Sequence, residues 1–417
     1  MLLFASDNPR YLDFSNAAKG NRALSNLGFT VTRNTTGAYY DKASGTYKFA
    51  AANTARYDSA GTSGRTGLLI EEGQTNLALR SSDFSNAAWV GANVTRTTAN
   101  ISELITGGTA TLCTNVTATT NTVSQAVGTF ADGQNYVVYA IVEEPASNAA
   151  PSFDIQIYNL TDGVSRGRTR LTFATGARST VTTAPTDSGS YQIATAGPNG
   201  GRVWMLWIRY LAVAADAGDS KQVLIYPSST TLATGSLIIH HCQFVNAFQP
   251  TSPIVTAGAS AGRSDDDIVA ASLPTWWNQS ATSYLATIDV RSKPEVYGAV
   301  VIADDGSTDN AFGLVHDSSD GATVLVFVAT TPYVTAAAGA ATDASPDKVG
   351  ASQASNLTFA AIDGTASADG NQVGVPTVTG WCLGSLLGLD YFLNGKILNL
   401  RIVNTALSAA ELDAYTT

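Results

Sequence analysis

Charge is scarce in this chain. Of 417 residues, 13% are Asp, Glu, Lys or Arg, about half the usual share of roughly 25%. The polar surface must then come from Thr, Ser, Asn, Gln and Gly, which suits strands better than solvated helices. The net charge is −10 and the pI is about 4.7. No basic stripe exists to displace counterions from a phosphate backbone, so no nucleic-acid partner is expected. No apolar run reaches the length of a spanning helix, so no membrane insertion is expected. The opening residues, Met1 to Ala5 before Ser6-Asp7, lack a basic stretch and a long apolar one, and do not read as an export signal. Three widely spaced cysteines, Cys113, Cys242 and Cys382, read as single buried thiols, not a disulfide framework. No short repeat recurs, which excludes β-helical solenoids.

What is present is apolar and β-forming. Hydrophobic residues make up 44% of the chain, enough for sizeable cores, and the length suggests two to three domains. Strand signals run through Asn135–Val142, Phe153–Tyr158, Gln222–Tyr226, Ser283–Val290, Tyr297–Ala303, Thr323–Ala329, Leu357–Asp363 and Gly395–Val403. Turn signals such as Thr161-Asp162-Gly163 separate them. One helix is marked near the end, where Ser408-Ala409-Ala410-Glu411 fits a capping box. Boundaries fall near Asn76 to Ser82 and in the Pro-, Ser- and Gly-rich stretch from Gln249 to Ser264. The expected fold is all-β: a segment over residues 1–76, a sandwich over 77–262 and a second antiparallel sandwich over 263–417. Residues 1–29 are mixed in character and could require a partner to order.

Several ordered motifs carry a resemblance. Asn34-Thr35-Thr36-Gly37-Ala38-Tyr39-Tyr40-Asp41, Phe49 to Asp58, Gly67 to Leu77 and Ser82 to Trp89 together look like the N-terminal signature of tailed-phage head-spike, head-fibre and tail-fibre-like proteins. Gln74 stands where that family usually has Arg. Gln243 to Ile254 resembles the segment closing the family's carbohydrate-binding-module-like jelly roll. Trp276-Trp277-Asn278-Gln279-Ser280, Gly395 to Ile402 and Leu407 to Leu412 resemble the opening, last strand and closing helix of a concanavalin-A-like (laminin-G-like) sandwich. The resemblance implies a virion surface protein, made in the host cytoplasm, with residues 1–76 attaching it to other capsid or tail proteins. It implies a homo-oligomer, a trimer by the three-fold symmetry common to spikes, with sandwich loops that contact host-surface glycans. The readings are a head spike, head fibre or decoration protein, and alternatively a tail-fibre receptor-binding protein or a polysaccharide-degrading enzyme.

The enzyme reading needs two carboxylates converging across a cleft. The chain has seven glutamates, and Glu71-Glu72 and Glu143-Glu144 are adjacent pairs whose side chains diverge on a strand, as on a solvated edge. No enzyme activity is expected. Asp304, Asp305 and Asp309, and the run Asp265-Asp266-Asp267, are candidate Ca²⁺ ligands, against the alternative of plain Asp- and Gly-rich turns. No other cofactor is implied. In His240-His241-Cys242, strand alternation places His240 and Cys242 on one face and His241 on the other, too few ligands for zinc. Trp204, Trp276 and Trp277 are candidate sugar platforms, against the alternative of core packing; Trp204 and Trp207 should face opposite ways.

Overall fold

A computed structural model describes residues 11–417, except 62–63, 118, 146–151, 229–234, 320, 338–345, 356, 368–373 and 387–390. Its strands form two antiparallel sandwiches. In the first, one sheet has the order Asp187–Ala194, Val203–Leu211, Asn135–Glu143, Ser236–Val245, Thr111–Asn115, Val94–Thr97. The facing sheet runs Arg178–Thr180, Val164–Thr172, Ser152–Asn159, Ser220–Tyr226, Thr122–Thr129, Val90–Ala92. Alternate residues of both sheets, among them Val138, Ala140, Ile155, Ile225 and Phe244, fill the space between them.

The second sandwich does not start at residue 263. One of its sheets carries Arg56–Asp58 and Gly67–Ile70 beside Gly395–Val403, with Tyr11–Asp13 on the same last strand. The other carries Thr30–Thr32 beside Asp267–Ala270. The expectation of a separate segment over residues 1–76 is therefore not met in the strand pairing. Gly67-Leu68-Leu69-Ile70 is buried throughout; Arg56–Asp58 pairs with one of its edges, and the second partner an apolar strand of this kind needs comes from Gly395–Val403. Residues 11–29 likewise order within this chain. The helix Ala17–Asn26 is capped by Asn16, and at Gly20 the ring of Tyr57 occupies the space a Cβ would fill, 2.2 Å away. The first sandwich is thus an insertion in the second. Its entry and exit, Gln74–Asn76 and Ala261–Arg263, pair as a two-stranded neck.

A hairpin, Gly37–Asp41 with Thr46–Ala50, leaves the second sandwich and lies on the outer face of the first. Tyr40 and Tyr47 pack there against Val137, Tyr139, Ile141 and Met205. Strand Asn135–Glu143 is therefore buried on both faces, which explains its unbroken apolar run.

Where hairpin, neck and both sandwiches meet, charge is buried. Arg33, Arg56, Arg263 and Arg291 lie among Asp58, Glu71 and Asp266, all with side chains at most 2% exposed. Glu71 receives Arg56 (2.8 Å), Arg263 (3.0 Å) and Arg291, with the backbone and hydroxyl of Ser252. Asp266 joins Arg33 to Arg56. Burial alone would raise the Glu71 pKa; the three guanidiniums overcome it and hold the carboxyl well below its ordinary range. The solvated-edge reading of Glu71 is wrong for this reason, and that of Glu143 fails too. Glu143 is also fully buried, bonded to His240 (3.0 Å), Asn199 and the amide of Gly201.

Among the described residues, the buried Lys221 has no carboxylate partner. Lys221 lies 4.0 Å from the Tyr136 ring centroid and donates to the Thr129 carbonyl (2.7 Å). Burial pulls its pKa down to about 8. A base depressed in the folded state costs stability below pH 8, and that cost disappears as pH rises toward 10.5. Lys221→Met should raise stability at pH 7 by about 1–2 kcal/mol once the lost carbonyl and ring contacts are discounted. It should also flatten the rise between pH 8 and 10 in urea titrations.

Candidate functional site

The first sandwich has one sheet face covered by the hairpin and an opposite face against which no described strand or helix packs extensively, although its outward Asp154, Gln156, Arg168 and Tyr226 are each buried and Arg170 is the part-exposed member. On that opposite face, alternation sorts the residues. Phe153, Ile155 and Ile157 point into the core, so Asp154, Gln156 and Tyr158 point outward. Register sets Asp154 between Arg170 and Tyr226, and Gln156 between Arg168 and Leu224.

These neighbours form one polar floor. Arg168 donates to Asp154 through Nε (3.0 Å) and Nη2 (2.6 Å). Arg170 does the same (2.7 and 3.0 Å). The Arg168 guanidinium sits 3.5 Å over the Tyr226 ring, whose hydroxyl donates to Gln156. Asp154 is fully buried under its two cations, while the Arg170 side chain stays 28% exposed. The hydrogen bond to Asp154 raises the Arg170 pKa, and burial raises that of the Tyr226 hydroxyl. Asp154 thus holds both guanidiniums in fixed positions. None of these residues was singled out from sequence, although Arg166, Arg168 and Arg170 at alternate positions in so weakly charged a chain were a usable signal.

The sequence-chosen residues lie elsewhere. Trp204 and Trp207 do face opposite ways, but both are buried, at 8% and 5% exposure, in the inner and outer packing layers of one sheet. Trp204 is therefore not an exposed platform. It is pinned by Gly176, which has φ +69° and leaves its absent Cβ 2.3 Å from the indole. Gly176→Ala should cost about 2–4 kcal/mol from backbone strain and overpacking, read as a lower urea midpoint. Trp276 and Trp277 are half-buried against the core of the second sandwich, and Trp277 lies 6.1 Å from Tyr284 and 6.3 Å from Trp381.

Asp304, Asp305 and Asp309 do not converge. Asp304 is 6% exposed, accepts from the Gly306 amide (2.9 Å), and lines a cavity of about 380 Å³ with Trp381 and Cys382; burial raises its pKa. Asp305 binds Ser307 and Asn310 within its own turn, and Asp309 is exposed. In the run 265–267, Asp266 is committed to guanidiniums and Asp265 to the Gly73 amide. Among the described residues, three carboxylates meet only at Asp162, Asp216 and Asp219. There Arg166 bridges Asp162 and Asp216, and the Asn159 amide donates to all three.

The histidines correct the alternation argument. Opposite Asn135–Glu143, Ile141 pairs with His241 and the next residue, Val142, with Ile239, so His240 is the extra residue of a β-bulge. His240 and His241 consequently share the side away from the sandwich core, while Cys242 enters that core. His240 is held by Glu143, and His241 by Ser82 (3.1 Å) and Gln243 (3.4 Å).

No family model matches the chain, and no curated protein matches it. Among solved structures, the carbohydrate-binding module CBM40 of Ruminococcus gnavus IT-sialidase, bound to α2,3-sialyllactose, aligns over 34% of this chain and 84% of its own. The identity is 16% and the TM-score 0.30. Domains LG4-5 of the mouse laminin α1 chain align over 73% and 92% at 11% identity, with a TM-score of 0.26. Trypanosoma rangeli sialidase with sialic acid aligns over 74% of this chain and 60% of that one, at 11% identity and a TM-score of 0.26. The chain is an all-β protein of antiparallel sandwiches.

Proposed function

We propose that the protein is a non-catalytic glycan-binding component of a virion surface: a head spike, head fibre or decoration protein that holds its first sandwich outward toward host-surface sugars. The observation that carries the binding role is the polar face of that sandwich against which no described strand or helix packs extensively. Its outward residues are rigidly cross-bonded polar and aromatic groups, not the solvated Thr and Ser of an idle face. Binding surfaces are built from a few fixed polar groups on a stiff scaffold. The virion assignment rests on the sequence resemblance, and so does a homotrimer.

Two measurements test this. Full-length protein on an oligosaccharide array should give binding that competes with free sugar; no binding to any oligosaccharide refutes the lectin role. Cryo-electron microscopy of purified particles should place its density at the capsid surface. Density at the tail tip would make it a receptor-binding fibre, and absence from the particle would remove the virion role.

A further inference from the structure

We infer that this polar sheet face selects acidic glycans, seating a sugar carboxylate on the exposed edge of Arg170. The inference rests on the glycan-binding reading and narrows it.

Three observations decide for an acidic over a neutral ligand. A neutral pyranose binds mainly by laying its C–H face on an aromatic ring. The ring at the centre of the floor, Tyr226, is 5% exposed and already capped by the Arg168 guanidinium at 3.5 Å, so it offers no open face for stacking. Second, two guanidiniums share one carboxylate, Asp154, so the floor keeps a surplus positive charge on a chain whose net charge is −10. Third, both arginines spend Nε and Nη2 on Asp154. Their Nη1 edges have no partner among the described residues, and Arg170 is the one solvent reaches.

A guanidinium held in plane by one carboxylate offers its remaining N–H groups as a preformed fork for a second. Half-buried Tyr158 shares the outward side of strand Ser152–Asn159 and gives the sugar ring a neighbour beyond Gln156. The surplus is a single charge, which suits one carboxylated residue in an oligosaccharide and not a long polyanion such as nucleic acid.

The test is an array of matched pairs, each carboxylated oligosaccharide beside its carboxyl-reduced form and a sulfated analogue, probed with full-length protein. Hits are then titrated by calorimetry at two salt concentrations. The expected result is binding to carboxylated members, at least tenfold weaker to their reduced partners and at least tenfold weaker with Arg170→Gln. Arg202→Gln, which removes a surface guanidinium just before strand Val203–Leu211 of the other sheet, should leave affinity unchanged. If Arg170→Gln does not fold, Arg170→Lys keeps the charge but breaks the fork, and should lose affinity several-fold. Equal binding of reduced and carboxylated partners, preference for the sulfated analogue alone, or indifference to Arg170 would overturn the inference while leaving glycan binding intact. Binding to no oligosaccharide would remove both.

Discussion

Glu71→Gln is expected to lower the unfolding free energy by about 3–5 kcal/mol, the usual cost of breaking a buried ion pair from one side. The magnitude follows from an imbalance already present. Four guanidiniums, Arg33, Arg56, Arg263 and Arg291, face three carboxylates, and the variant leaves two. Gln cannot answer Arg56, Arg263 and Arg291 together, and Ser252 loses its acceptor as well. Arg263 is the cation least well compensated, since burial lowers its pKa despite Glu71 nearby. Removing it as well, in Glu71→Gln/Arg263→Met, should recover at least about 1 kcal/mol, a coupling of the size seen between residues in direct contact. Urea unfolding followed by tryptophan fluorescence measures both. A loss below about 1 kcal/mol for the single variant would mean the network does not hold the two sandwiches together.

Acid should weaken the fold before ordinary carboxylates titrate. His241 is fully buried, and burial pulls its pKa down to about 3 against the opposing bond to Gln243. The folded protein keeps it neutral while the unfolded chain takes a proton near pH 6.5. The unfolded state therefore binds more protons between pH 6.5 and 3, and stability falls with pH across that window. The full contribution is about 4–5 kcal/mol at the acid end. The loss from Glu71 starts lower, below the ordinary carboxylate pKa, because its stabilisation is present above that value and fades as pH falls. His241→Asn should remove the slope between pH 6.5 and 5 and keep the steeper fall below it. Unfolding free energies at pH 7, 6 and 5 for both proteins separate the two groups. An unchanged slope in the variant would mean that another group titrates there.

Strands were legible where pattern alone decides them. Phe153–Tyr158 and Gln222–Tyr226 alternate cleanly, and the structure extends each by a residue or two. The capping box at Ser408 and Glu411 opens the helix Ala409–Thr416 as read. What escaped depends on contacts across long sequence separations. Arg33 and Asp266 are 233 residues apart, Arg56 and Asp266 210, and nothing local marks them as partners. Alternation also cannot distinguish an outward residue in water from one locked to its neighbours, so Asp154 looked the same as any solvated aspartate. At His240 the period itself slipped by one residue, which sequence does not announce. The motifs carrying the resemblance now have a physical role: Arg56, Asp58, Glu71, Gln74, Gln249 and Ser252 all meet at the junction of the two sandwiches. They mark how the parts are joined, and the Asp154, Arg168 and Arg170 floor lies outside them.

The insertion of one sandwich in the other also dictates timing during synthesis. Lys396 donates to the carbonyl of Ala60, 336 residues earlier; at ~5–20 residues per second, the ribosome separates the two by roughly fifteen seconds to a minute. Throughout that interval Gly67–Ile70 has no last strand to pair with. The inserted sandwich has no such wait, because all its strands lie between Val90 and Val245. The nascent chain therefore completes its interior domain first and must shield an apolar strand paired only with Arg56–Asp58 until Gly395–Val403 emerges.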